Sequence, residues 1–403
     1  MAPRAWSSLA EFAHASNQAY VAAATAGRGR RFVPDPPIAV YTRHGLAPLL
    51  TEPDGAPRRF LRYRSANGWN NQLLDLLCAA EMARLLNRTL VVPPFAWRRR
   101  RGNASVSVGR LVDLLPLAHV TPIVAEDEAG GVGAALRRAR LSTKRLRAEG
   151  YSHRTRHRSR WEAGGWVARH GDEAARVLDV RRGILFWTWR LSDDAARELL
   201  AALEYHPTLV HAATAASAHL GPRASAIHVR RGDKSAVDAT YRPIWSKMTP
   251  GYFLQLMGAE GINKSAAVYV ATDELDRAWF DPIAAAGYRL TFADQLAQPP
   301  LLAALQAFPQ PLWVDVLSII EQIVCVRARR FVGTLPSTMS GYVTNLRIVR
   351  GLEADSNGVP RPLFTKLAQT CCDAATARDV LRLPGVATLA DVPCVPHEGN
   401  AWC

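Results

Sequence analysis

The sequence predicts an α/β protein whose second half is a doubly wound parallel sheet. Three observations lead there. Short, largely apolar runs at residues 226–229, 267–271 and 330–333 have the hydrophobicity of strands buried on both faces. Helical stretches separate them, the longest at residues 312–327 and nearly all apolar on one face. Polar residues gather at the strand ends: His228, Arg230, Arg231, Asp233, Lys234 and Asp238 at the first, Asp273 and Glu274 at the second, Ser337, Thr338 and Ser340 at the third. Ligands of open α/β sheets bind at the carboxyl ends of the strands. The expectation is therefore a nucleotide-type site in residues 221–352.

Taken in order, residues 1–37 read as a tail closed by Pro34, Pro36 and Pro37. Strands are expected at 38–42 and 60–63. The polar turn Asn67-Gly68-Trp69-Asn70-Asn71-Gln72 leads into a helix over 73–86, ended by Asn87. A strand at 89–92 follows and Pro93-Pro94 stops it, completing a βαβ unit. Backbone amides and Asn side chains at that helix start suit an anion or a sugar hydroxyl, and equally suit capping. Further on, the pattern predicts a strand over 184–189, a helix over 193–203 capped by Ser192, and a helix over 250–257. Residues 353–403 read as a second tail.

Charge narrows the partners. Lys and Arg number 50 against 35 Asp and Glu, a formal charge of +15. Such a balance favours nucleotides, nucleic acids, acidic glycans or anionic membranes. Residues 98–101 and 137–160 carry much of the excess; the second run reads as a solvated insertion, with Tyr151 and Trp161 as the nucleic-acid alternative. No stretch approaches the ~20 apolar residues that span a bilayer, and residues 1–27 lack the apolar core of a secretory leader. Cys78 and Cys325 sit in apolar helical context as inert thiols, while Cys371, Cys372, Cys394 and Cys403 allow a disulfide-tied tail. No Cys/His spacing suits zinc.

At the strand ends, the guanidinium forks of Arg230 and Arg231 form an anion clamp. Asp273 offers two acceptors to a guanine edge, or caps the next helix. His228 joins them if register allows. The start of the helix after Ser337 offers hydroxyls and free amides to a phosphate.

In their order, NGWNNQ…LLNRTLVVPP, IHVRRGDK, VYVATDE and FVGTLPSTMSGYVTNLR resemble the GDP-fucose-dependent fucosyltransferases. The first block is similar to the GDP-fucose protein O-fucosyltransferases. The run HVRRGDKSAVDATYRPI with VYVATDE is similar to the α1,6-fucosyltransferases. The resemblance spans roughly residues 60–347. It implies a GT-B arrangement of two Rossmann-like domains facing a cleft: 38–220, holding the basic insertion 137–160, and 221–352. It also implies inverting, metal-independent transfer of fucose from GDP-fucose, as donor substrate and without a cofactor, to a protein or glycan hydroxyl. By matched position, Arg230 would hold the β-phosphate and His228 and Asp273 would read guanine. Ser337, Thr338 and Met339 would bind the phosphates, with Arg231 and Asp233 beside them. Asn71 would line the cleft from the first domain with Gly68 and Asn70, and Asp238 stands where a proposed catalytic base lies. A secretory-pathway home is implied, with which the sequons at Asn87, Asn103 and Asn263 are compatible. Nucleic acid is not an expected partner. The readings set against this are a non-catalytic nucleotide-sugar-binding relative and a nucleic-acid-binding protein.

Overall fold

The computed structural model describes residues 40–352 apart from 66–67, 97–104, 127–130, 148–162, 182–184, 186–188, 190, 232–247, 297 and 335–336. Two largely parallel sheets frame it. The strands are β1 (Val40–Thr42), β2 (Gly45–Ala47), β3 (Phe60–Tyr63), β4 (Thr89–Val92), β5 (Phe95–Ala96), β6 (Ser105–Val106), β7 (Val112–Asp113), β8 (Ile123–Ala125), β9 (Thr143–Arg147), β10 (Val177–Arg181), β11 (Glu204–Tyr205), β12 (Ser225–Val229), β13 (Ala267–Thr272), β14 (Arg289–Phe292) and β15 (Phe331–Gly333). The helices that bear on the site are α1 (Trp69–Leu85), α2 (Gly131–Arg138), α3 (Asp193–Ala202), α4 (Pro207–Leu220), α5 (Pro250–Ala259), α6 (Trp313–Arg327) and α7 (Thr338–Val349).

The first sheet runs β2-β1-β8-β4-β3-β10-β9, parallel from β8 to β9. The second is parallel throughout and runs β14-β13-β12-β15. The run β8-β4-β3 of the first sheet turns back at β10, and the run β14-β13-β12 of the second turns back at β15. Those reversals are the topological switch points where such sheets open a crevice.

Burial explains the strands. All five residues of β12 are buried: Ile227 and Val229 pack with Phe253 and Met257 of α5, while Ala226 faces the other layer. That other layer is shared. Leu73 and Leu77 of α1, Leu209 of α4, Ile320 of α6 and Leu346 of α7 belong to one apolar cluster, so helices of both halves pack together.

The LNRTL stretch is structural. Asn87 turns the chain out of α1 at φ 47°, a left-handed conformation that Asn tolerates better than most residues. Arg88 then buries its guanidinium against carbonyls, Nη1 donating to Ala175 at 2.8 Å and Nη2 to Glu173 at 2.7 Å. Burial lowers its pKa to about 10, so it keeps its charge at neutral pH. Thr89 is buried too and accepts from Arg58 Nη1 at 3.0 Å.

Four expectations change. Helix α1 starts at Trp69 rather than 73, because the N–H groups of Asn71 and Gln72 already bond Gly68 O at 3.0 and 3.2 Å. Packing of Trp69 on Phe95, ring centroids 5.3 Å apart, fixes that turn. The strand expected over 184–189 is absent at its described ends: Trp189 N–H donates to Leu185 O at 2.7 Å, a separation no extended strand can close. Glu81 of α1 holds that turn, accepting from Trp189 Nε1 at 2.6 Å and Ser192 Oγ at 3.2 Å. Within the run expected to be a solvated insertion, residues 137–147 have regular structure, forming the end of α2 and then the edge strand β9, paired with β10 over five residues. The rest of the basic run lies outside the described residues, as do both tails. Finally β8, β9, β10 and β14 were not expected from the pattern. The helix over 193–203, by contrast, forms with Ser192 Oγ accepting from Ala195 N–H at 3.2 Å.

Candidate active site

The second switch point is built by three strand ends. His228 lies on β12 opposite Gly333 of β15. Thr334 ties them together: its N–H and hydroxyl both donate to His228 O, at 2.9 and 2.7 Å. The same hydroxyl accepts the N–H of Arg230 at 2.9 Å. From β13, Thr272 Oγ1 donates to Val229 O at 2.7 Å. The backbone from which Arg230 springs is thus fixed on both sides.

The side chains follow. Arg230 Nη1 meets Asp273 Oδ2 at 2.7 Å, and Arg231 N–H donates to Asp273 Oδ1 at 2.7 Å. Both carboxylate oxygens are therefore engaged. The adjacent arginines do not act as one clamp: Arg231 Nε donates to Glu274 at 2.8 Å, and its guanidinium lies 4.8 Å from the centre of the Trp279 ring. Arg230 remains about one-third exposed at the strand end.

His228 is buried, with Nδ1 2.6 Å from Ser340 Oγ in the first turn of α7. Burial, and secondarily Arg230, lowers its pKa to about 3, so the imidazole is neutral at physiological pH. Glycine is required at 333 by close approach: a Cβ there would stand 2.6 Å from Ser340 Cβ. Ser337 caps α7 by position, but its side chain makes no capping bond.

At the first switch point, Asn71 is half-buried near the start of α1, whereas Asn70 is buried. Gly68 is the N-cap, with an ordinary φ of −70°. A recess lined by Tyr63, Ser65, Trp69, Gln72, Phe95 and Val108 opens there. Asp233 and Asp238 lie outside the described residues. Among the described residues there is no group of three or more His, Cys, Asp or Glu able to hold a metal ion. Nor is any helix there long and apolar enough to cross a membrane. Cys78 and Cys325 are buried free thiols whose pKa values burial raises.

The sequence reading passed over Glu321 and Gln322. Glu321 accepts from Tyr269 OH at 2.8 Å, and desolvation lifts its pKa to about 7. The available signal was a Glu-Gln pair inside the run VLSIIEQIVCV, which is apolar apart from that pair and Ser318.

The crystal structure of POFUT1 in complex with GDP-fucose matches at 15% identity over 77% of this chain and 97% of that one, with a TM-score of 0.50. A second crystal form of that complex matches at 14% identity over 74% and 95%, again with a TM-score of 0.50. The fucosyltransferase NodZ from Bradyrhizobium matches at 15% identity over 72% and 94%, with a TM-score of 0.44. Comparison with curated proteins finds no match. The two sheets, each with its switch point, define a GT-B-like glycosyltransferase fold. The chain belongs to the GDP-fucose protein O-fucosyltransferase family, whose pattern it matches over residues 60–350. It is a GDP-fucose-dependent fucosyltransferase.

Proposed function

We propose that this chain transfers fucose from GDP-fucose to a hydroxyl of a protein or glycan, with inversion at the anomeric carbon and without a metal ion. The observation that carries the reading is Arg230, held by Asp273 and by the Thr334-anchored backbone at the end of β12. Fucosyl transfer breaks the bond from C1 to the phosphate oxygen, and GDP leaves with the electron pair. A fixed guanidinium takes up that charge with no reorganisation at the moment of reaction. The acceptor oxygen bonds C1 from the opposite face, and its proton passes to a base.

The other residues take their parts around Arg230. Both oxygens of Asp273 are engaged, so its part shifts from reading guanine to orienting the arginine. His228 is neutral and presents its Nε2 to the base. Ser337, Thr338 and Met339 at the start of α7 meet the phosphates with hydroxyls and free amides, with Arg231 and Asp233 bordering the donor. Asn71 lines the acceptor side with Gly68, and Asp238 is the proposed base. The two lobes are 38–220 and 221–352, although α4 of the first packs on α6 of the second. Family membership supports a home in the ER or Golgi lumen, and purely cytosolic fractionation of the tagged chain would remove that part.

The test is calorimetry of the purified protein with GDP, GDP-fucose, UDP and ADP, followed by transfer assays in EDTA. GDP and GDP-fucose should bind, the others not, and transfer should persist in EDTA. A preference for UDP or ADP overturns the donor. Activity lost in EDTA and restored by a divalent ion overturns the metal-free mechanism.

A further inference from the structure

Neighbouring residues near the middle of α6 serve different halves of the molecule. Glu321 reaches β13 through Tyr269. Gln322, fully buried, turns the other way. Its Nε2 donates to Asn70 Oδ1 at the start of α1, and its Oε1 accepts from the hydroxyl of Tyr205 on β11. Strand β11 pairs with β7, so both partners of Gln322 lie on the earlier half. Burial raises the pKa of Tyr205, which keeps it a hydroxyl and hence a donor.

An apolar side chain would fill that site, as elsewhere in VLSIIEQIVCV. Burying an amide contributes little net stability, but leaving its buried partners without a hydrogen bond costs their full desolvation. Such a group specifies one arrangement better than it stabilises it. The arrangement it specifies is the start of α1, where Asn71 follows Asn70 directly.

We propose that Gln322 is a positioning residue that fixes the first turn of α1, and with it Asn71, relative to the Arg230–Asp273 side of the cleft. Its catalytic consequence rests on the fucosyltransferase reading; the structural coupling does not. Misplacement of a substrate-contacting group by about 1 Å costs up to ~10² in rate.

The test compares wild type with Gln322→Met, an unbranched replacement of similar length that makes neither bond. Two readouts are taken on the full chain: hydrogen exchange of the amides at 69–73, and kcat with GDP affinity. The expected result is exchange faster by roughly tenfold at 69–73 and unchanged at 225–229. With it, kcat falls by ~10–10² while GDP affinity stays within about twofold. A lower melting temperature with unchanged exchange and kcat would make Gln322 mere core filling. Loss of GDP affinity in step with kcat would place its action in the donor site instead. Both results overturn the proposal. If wild type transfers no fucose, the functional reading fails, while the exchange arm still decides the coupling. Should Gln322→Met not fold, Asn70→Ala and Tyr205→Phe read the two ends: the first should lower kcat well beyond the second, and equal effects overturn the proposal.

Discussion

The two switch points share a topology and differ in how their side chains are held. Between β12 and β15, Arg230 and Asp273 are tied to each other and to the backbone through Thr334 and the N–H of Arg231. The first sheet has ion pairs too, Arg62 of β3 with Glu126 just after β8 at 3.3 Å and, within β10, Arg181 with Asp179 at 2.6 Å. The recess beside α1, however, is walled mainly by Tyr63, Trp69, Phe95 and Val108, with Ser65 and Gln72 as its polar members. A rigid charge suits a phosphate whose charge grows as the bond breaks. An apolar wall with an adaptable amide suits an acceptor read by shape. On the function proposed above, the charged edge would take the donor and the edge beside α1 the acceptor.

The largest expected effect breaks the first half of that contrast. Arg230→Ala should weaken GDP binding and lower turnover by about 10²–10³. Arg230→Lys should recover little, because an ammonium cannot present the guanidinium's paired donors. Unchanged turnover in Arg230→Ala would remove the charged edge from the mechanism.

Next comes the division of labour between the edges. Asp238→Asn should keep near-normal GDP affinity and lose about 10² in turnover, as expected for removal of a general base. Measured beside it, Asn71→Ala decides the rival assignment. If Asp238→Asn turns over normally and Asn71→Ala does not, the acceptor is activated from the α1 side and Asp238 is not the base.

The contrast was only half legible in the sequence. Strands β12 and β13 are apolar runs with polar residues at their carboxyl ends, a pattern that buried parallel strands impose, and so the charged edge could be read directly. β9 (TKRLR) and β10 (VLDVR) carry charges within the strand, which disguised the outer part of the first sheet. Residues 184–189 have strand-like composition, yet Trp189 is held by Glu81 of a helix about a hundred residues earlier. Asn70 and Gln322 stand 252 residues apart, and no local pattern links them. What escaped the reading is what tertiary contact alone determines.

The smallest expected effect sharpens the electrostatic side. His228 has its pKa lowered to about 3 in the folded state, against about 6.5 when unfolded. Its neutral form therefore contributes stability fully above pH ~6.5, lost as the pH falls toward the folded value. Urea unfolding between pH 7 and pH 4 should show wild type losing about 1 kcal/mol per pH unit relative to His228→Gln. Glu321 and Asp315, both raised to about 7 by desolvation, bias the curve the opposite way in both proteins and cancel in the difference. Parallel curves would mean that the imidazole is not held neutral by the fold.

The contact of Gly333 with Ser340 also bears on how this chain can change over generations. Alanine at 333 collides with Ser340. Removing that clash by trimming 340 to glycine deletes the hydroxyl that meets His228. A histidine buried without that partner then costs more than it did. Positions 228, 333 and 340 therefore form a single unit of variation: a lineage can exchange all three together, or keep all three, but drifting through them one at a time passes through damaged proteins.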